Sequence, residues 1–338
     1  MAPVTVYDVA KKAGVGIATV SRVFRRSQEV SMETRQRVLQ AAQELGYVPD
    51  AAAQALASRR SNIIGLILTR APHHISSDAF LNQILFHLIS EFRKLGMHLL
   101  LEIVEDVQNP EGYLHLVKSN RIDGLIFSGP RSDDEALVAL IERGFPTVLM
   151  GYLPNTNCFS VDINNRAAAR TAVEHLIHLG HKRIACITNA SLSYSAAAER
   201  LSGYQEALEA AHIPYDEALV RYGDFNLESG YIQMNNLLDE AFHFTAVFIA
   251  SDVVAFGAMS AARERGLHIP KDLAVVGFDD VPLAQYVDPT LTTMRLPTTE
   301  LAICSSDLII QLICGEVPEQ RHVFLPTELV VRDSCGVV

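Results

Sequence analysis

Nowhere in the 338 residues do about 18 apolar residues run together, which excludes a membrane-spanning helix. The opening MAPVTVYDVAKK has no apolar stretch behind a basic start, so no secretion signal is expected there. Cysteine is sparse: Cys158, Cys186, Cys304, Cys314 and Cys335 are scattered, with no CxxC pair and no Cys/His spacing suited to a metal. They are expected to be reduced, in a cytoplasmic protein. The common signatures of nucleotide and hydrolytic chemistry are missing as well. No GxGxxG follows the first β-rich run, and there is no GxxxxGK[ST], G-x-S-x-G or HExxH. His73–His74 suggests a metal at first sight, but without matched partners it reads as a solvated loop pair. No enzyme activity, metal or cofactor is expected.

What is present is a chain 49% hydrophobic and 20% charged, globular in composition and long enough for two or three domains. Its net charge of −11 is unevenly spread: the first sixty residues carry +4 and the remainder −15. A small basic module on a large acidic body suggests that the module alone meets a polyanion. Charge by itself fits a solvated basic face equally well.

The module has a pattern. Thr5 can cap a helix over 6–13, with Val6, Val9, Ala10 and Ala13 on one face, and Gly14 ends it in a tight turn. A second helix over about 17–25 buries Val20 and Val23. Ser31 caps a third over about 32–45 that stops at Gly46. Two short helices joined at a glycine and braced by a third make a helix-turn-helix unit. In such a unit the second helix enters the major groove. Its outward residues here are Ile17 and Ala18, suited to apolar contacts such as a thymine methyl, and Arg22, able to give guanine two parallel donors. Thr19 and Ser21 suit phosphates. A three-helix protein-interaction domain fits the same pattern.

The run VTVYDVAKKAGVGIATVSRVF…VSMETRQRVLQAAQELGYVPDAAAQALASRRSNIIGL resembles the head of the lactose-repressor/galactose-repressor (LacI/GalR) family. The elements DVAxxAGV…ATVSR, VSxxTRxxV and LGYxP carry the likeness over about sixty residues. By that resemblance Ile17, Ala18 and Arg22 read bases, while Thr5, Thr19, Ser21, Ser31 and Thr34 hold phosphates or caps. Gly16 departs from the family, which usually has a serine there, so one backbone contact is expected to be missing. The resemblance also implies that AAAQALASRRS folds in the minor groove of the operator. Leu56 would be an apolar wedge there, with Ala53, Gln54 and Ala57 around it. A flexible linker is the other reading.

From Asn62 onward, near-continuous apolar runs (NIIGLIL, MHLLLEIV, IDGLIFS, PTVLMGY, then RIACITN, ALVRYGD, AVFIASD, LAVVGFDD) alternate with helical segments. That alternation indicates two doubly wound parallel-sheet subdomains in an α/β body behind the small all-α head. The expected divisions are a head at 1–48, a hinge at 49–61 and a body at 62–338. Within the body, one subdomain takes about 62–161 and 294–323, the other about 162–293 and 324–338. Ligands sit beyond the carboxyl ends of such strands. Residues there include Thr69, Asp78–Phe80, Ser128 and Gly151–Tyr152 in the first series. The second series offers Asn189, Arg200, Asp224–Phe225, Ser251–Asp252 and Asp279–Asp280. Carboxylates, a forked guanidinium and aromatic faces suit a neutral polyhydroxyl ligand. Several have plainer readings: Asp252 and Asp280 as caps, Phe80 and Phe225 as core.

ERLSGYQEAL, GDFNLESGY, AVFIASDVVAFGAM and LAVVGFDDVPLAQYVDPTLTTMRLP extend the family resemblance through the body, a type I periplasmic-binding-protein-like architecture. It implies effector contacts at Arg200, Phe225, Ser251 and Asp279, with looser ones at Asp78 and Phe80; Ser128 joins them as a strand-end hydroxyl. Ser251 stands where the family often has Asn, and Gly151 where sugar-responsive members have an aspartate. The reading is therefore a regulator, most simply a repressor, acting as a homodimer on pseudo-palindromic double-stranded operator DNA under a small carbohydrate. A nucleoside or purine, or a corepressor in place of an inducer, is the alternative. A solute-binding protein shares the body but not the head.

Overall fold

In the computed structural model, residues 4–24, 30–48, 60–70, 75, 78–107, 109–240 and 243–336 are described. The hinge expectations at Ala53, Gln54, Leu56 and Ala57, and the pair His73–His74, lie outside them. Two units divide the chain, Met1–Ser61 and Asn62–Val338.

The first unit holds α1 (Val6–Ala13), α2 (Ile17–Phe24) and α3 (Met32–Leu45). Gly14 ends α1 at φ 67°, a left-handed conformation that glycine takes without steric cost, and the Val15 amide donates back to the Ala10 carbonyl. Ser31 caps α3 by accepting the Thr34 amide at 3.3 Å. At Thr5 the start of α1 is secured through Asp8, whose carboxylate accepts the Thr5 amide at 2.9 Å and the Thr5 hydroxyl at 2.8 Å. Those bonds hold the exposed Asp8 carboxyl below its ordinary pKa. Val9, Val20, Val23, Val38 and Ala42 close a small core, with Phe24 packed on Tyr47 at 5.8 Å between ring centres.

The second unit contains two six-stranded sheets. The first has the order β11-β5-β4-β3-β1-β2, from β1 (Ile63–Leu68), β2 (His98–Ile103), β3 (Gly124–Ser128), β4 (Thr147–Met150), β5 (Phe159–Ile163) and β11 (His322–Leu325), all paired in parallel. The second has the order β12-β10-β9-β8-β6-β7. Its strands are β6 (Ile184–Thr188), β7 (Val220–Tyr222), β8 (Ala246–Ile249), β9 (Ala274–Asp279), β10 (Thr292–Arg295) and β12 (Glu328–Val330), of which only β12 pairs antiparallel. Helices cover both faces. On the first sheet these are α4 (Ala79–Lys94) and α11 (Thr298–Ile313) on one side, and α5 (Glu111–Lys118) and α6 (Glu135–Glu142) on the other. On the second they are α7 (Asn165–His178) and α8 (Ser195–Ala210) opposite α9 (Leu227–Asp239) and α10 (Asp252–Glu264). Ile64, Leu66 and Leu68 point to one layer and Ile67 to the other, so β1 is apolar on both faces, as a covered parallel strand must be.

The chain crosses between sheets three times: after β5, after β10 and after β11. The expected edges at 161, 293 and 323 each fall inside a strand. Phe324 and Leu325 stay laddered to Asp162 and Ile163, and Met294 and Arg295 to Phe278 and Asp279, so each crossing lies a few residues later. Strand β5 itself was not anticipated, because Ser160 and Asp162 interrupt its apolar run.

Candidate functional site

In the head, Ile17, Ala18 and Arg22 are exposed along α2, while Thr19 and Ser21 are half-buried. The carbonyl of Gly16 accepts the Thr19 and Val20 amides and opens the helix. Thr5 and Ser31 are exposed at the starts of α1 and α3. A basic side chain and small apolar groups therefore lie along the outer face of the second helix, the arrangement a groove-reading helix requires.

In the body, a cleft of about 790 Å³, counting its open mouth, lies between the two sheets. All seven side chains expected from the sequence line it: Asp78, Phe80 and Ser128 from the first lobe, and Arg200, Phe225, Ser251 and Asp279 from the second. Asp78 caps α4, accepting the Leu81 amide at 2.9 Å, and is ion-paired with buried Arg70. Arg200 is fixed by three groups: the Asn165 side-chain carbonyl at 2.8 Å, the Ala250 carbonyl at 2.7 Å and Asp279 at 3.7 Å. Its guanidinium also lies over the Phe278 ring at 3.8 Å. Ser251 donates to Asp279 at 3.1 Å. Phe225 is held at φ 52° and Asp279 at φ 124°, strained backbone of the kind that gathers at binding sites.

Burial raises Asp279 to about 7, against the pull of Arg200 and reinforced by Asp78. Burial likewise lifts Asp162 to about 6, with the Ile163 amide and Arg200 opposing it. Asp252 and Asp280 are fixed by structural partners but not as the caps expected of them, the N-cap of α10 being Ser251. Asp252 is fully buried and pinned by the Thr293 hydroxyl at 2.6 Å and the Val281 amide at 3.0 Å. Asp280 pairs with Arg295 at 2.7 Å and Arg332 at 2.5 Å. Phe80 and Phe225 are half-buried: both line the cleft, and both also pack on hydrophobic clusters, Phe80 on those of both lobes.

Gly151 adopts φ 129°, and a Cβ there would come within 2.5 Å of the Pro130 ring, so the local backbone disfavours any side chain at this position. Sequence reasoning missed Arg70, Asp162, Asn165 and Tyr194 in this cleft. Arg70 sits two residues past the end of β1, Asp162 belongs to the unrecognised β5, and Asn165 is the first residue of α7.

The family model described as "Bacterial regulatory proteins, lacI family" matches residues 5–50, and the "Periplasmic binding protein-like domain" matches 173–335. The HTH-type transcriptional regulator CelR of Thermobifida fusca is 36% identical over 333 residues, 98% of each chain. The chain belongs to the LacI family. Among solved LacI-family structures, a CelR–cellobiose complex has a TM-score of 0.75 at 35% identity, covering 98% of this chain and 99% of that one. A lac repressor dimer bound to operator and the anti-inducer ONPF has a TM-score of 0.85 at 33% identity, over the same shares. As a LacI-family protein the chain is a helix-turn-helix transcriptional regulator and not an enzyme. Among the described residues no helix is long and apolar enough to cross a membrane.

Proposed function

We propose that this regulator is a cytoplasmic repressor that binds a pseudo-palindromic operator as a homodimer and releases it when a small carbohydrate enters the cleft. The observation that carries the reading is the convergence, from both lobes, of carboxylates, a braced guanidinium and two aromatic rings on one cavity. Carboxylates accept paired hydroxyls, the guanidinium donates in a fork, and the rings pack on sugar C–H faces. The likeness to a regulator solved with cellobiose, and to a repressor dimer solved on its operator, supports both halves. Ile17, Ala18 and Arg22 are the proposed base readers. Thr5, Thr19, Ser21 and Ser31 lie nearest phosphates, and Leu56 with Ala53, Gln54 and Ala57 engages the minor groove.

Ligand and operator prefer different arrangements of the lobes, so each lowers affinity for the other by the same factor. The test is fluorescence anisotropy on an operator selected from random DNA, titrated with salt and with sugars. Operator affinity should fall steeply with salt as phosphate contacts are lost. A sugar should then release the operator. A salt-independent affinity would defeat the DNA reading; a sugar that tightens binding would make it a corepressor; release by nucleosides alone would replace the sugar.

A further inference from the structure

Among the described residues, two polar atoms in the cleft are buried without a hydrogen-bond partner: the Arg70 Nε donor of the first lobe and the Asn189 Oδ1 acceptor of the second. Their side chains are 7% and 4% exposed, so bulk water does not supply what is missing. Phe225 touches both residues: its ring lies 4.3 Å under the Arg70 guanidinium, and its amide donates to the Asn189 main-chain carbonyl at 2.8 Å. A buried donor and acceptor left unmade are costly, and in a cleft a bound ligand can complete them. A hydroxyl has the chemistry for both, accepting from Nε–H and donating to Oδ1. A phosphate or carboxylate oxygen only accepts, and would leave the Asn189 oxygen facing another acceptor.

Charge points the same way. The guanidiniums among the described lining residues are Arg70 and Arg200, and each has its carboxylate, Asp78 and Asp279. Asp162 adds a third acid with no third cation. Residues 71–74, outside the described set, contain two histidines but no lysine or arginine. An anionic ligand would thus find no uncommitted guanidinium and would face carboxylates in a low-dielectric cleft.

We infer that Arg70 and Asn189 are specificity-determining residues that grip one ligand hydroxyl between the lobes, and that the effector is an uncharged sugar, with phosphorylated and acidic sugars excluded. This rests on the carbohydrate reading above. The experiment is thermal denaturation and calorimetry of the full chain. Glucose, galactose, cellobiose and lactose are set against the 6-phosphates of the monosaccharides, the 6′-phosphates of the disaccharides, and glucuronate. The inference expects a neutral sugar to bind and its charged counterpart to bind at least about tenfold more weakly. Equal or tighter binding of a charged sugar overturns the inference and leaves the carbohydrate reading standing. Silence from every sugar overturns both.

Two variants then test the grip on the neutral sugar found. Arg70→Lys keeps a cation for Asp78 but removes Nε–H, and Asn189→Ala removes the acceptor. Each should weaken binding about tenfold. The double variant should be little worse than either, because both act on one hydroxyl. Affinities within twofold of the parent, in proteins that still bind operator, overturn the assignment.

Discussion

Arg22 is the one long basic side chain on the exposed face of α2, and its fork matches the N7 and O6 acceptors of guanine. Arg22→Ala should cost about 1–3 kcal/mol of operator binding and relax preference at one base pair. An operator selection repeated on the variant that returns the same guanine would reject the contact. In the cleft, Asp279 makes a prediction in pH. Its carboxyl titrates near 7 when folded, against an ordinary value of 3.8. Between those values the folded chain keeps a proton that the unfolded chain has released, so stability falls as pH rises. The loss begins above about pH 4 and is complete above about 7. Asp162, raised to about 6 by burial, adds to the same slope. Asp279→Asn should flatten, without abolishing, the decline in melting temperature between pH 5 and 8. A variant with an unchanged slope would show that Arg200 keeps Asp279 ionised throughout.

At the level of elements, the turn between α1 and α2 depends on Gly14. Space is open around a Cβ there, so the penalty for Ala is purely that of φ 67°. Gly14→Ala should destabilise the head by about 1 kcal/mol and Gly14→Asn by less, read as faster hydrogen exchange at the buried Val20 and Val23 amides. Equal exchange in all three proteins would mean that the turn tolerates any residue. The head was legible almost to the residue because its signals are local: the caps at Thr5 and Ser31 and the glycine stops at Gly14 and Gly46 act within one turn of chain. The long strands were legible for a related reason, since a sheet covered on both faces admits only apolar runs. Strand β5 hid because Ser160 and Asp162 break that run; its place is fixed instead by ladders to β4 and to β11, some 160 residues away in sequence. With β5 went Asp162. Arg70 was overlooked because what makes it functional, its seat on Phe225, joins residues from different lobes.

At the scale of the molecule, the two lobes of the body are also joined beside the cleft, away from the three chain crossings. The Tyr194 hydroxyl at the start of α8 donates to the Thr69 carbonyl at the end of β1. The Ser132 amide donates to the Ser193 carbonyl at 2.8 Å, and the Ser195 amide to the Pro130 carbonyl at 3.4 Å. Arg131, held by Asp133, lies over the Tyr194 ring at 5.2 Å. In the proposed response to ligand, where the lobes change their arrangement, this set of contacts between loops parts while the crossings act as hinges. Tyr194→Phe keeps the ring and its edge contact with Phe225 but deletes the hydroxyl, a loss of about 0.5–1.5 kcal/mol for a neutral hydrogen bond. The Ser132 and Ser195 amides should therefore exchange with deuterium about two- to tenfold faster in the variant. Amides in the middle of β3 and β8, which do not depend on how the lobes meet, should exchange at the parent rate. Acceleration everywhere would mean that the tyrosine stabilises the fold as a whole. No acceleration at Ser132 and Ser195 would mean that the lobes are held together by the crossings alone.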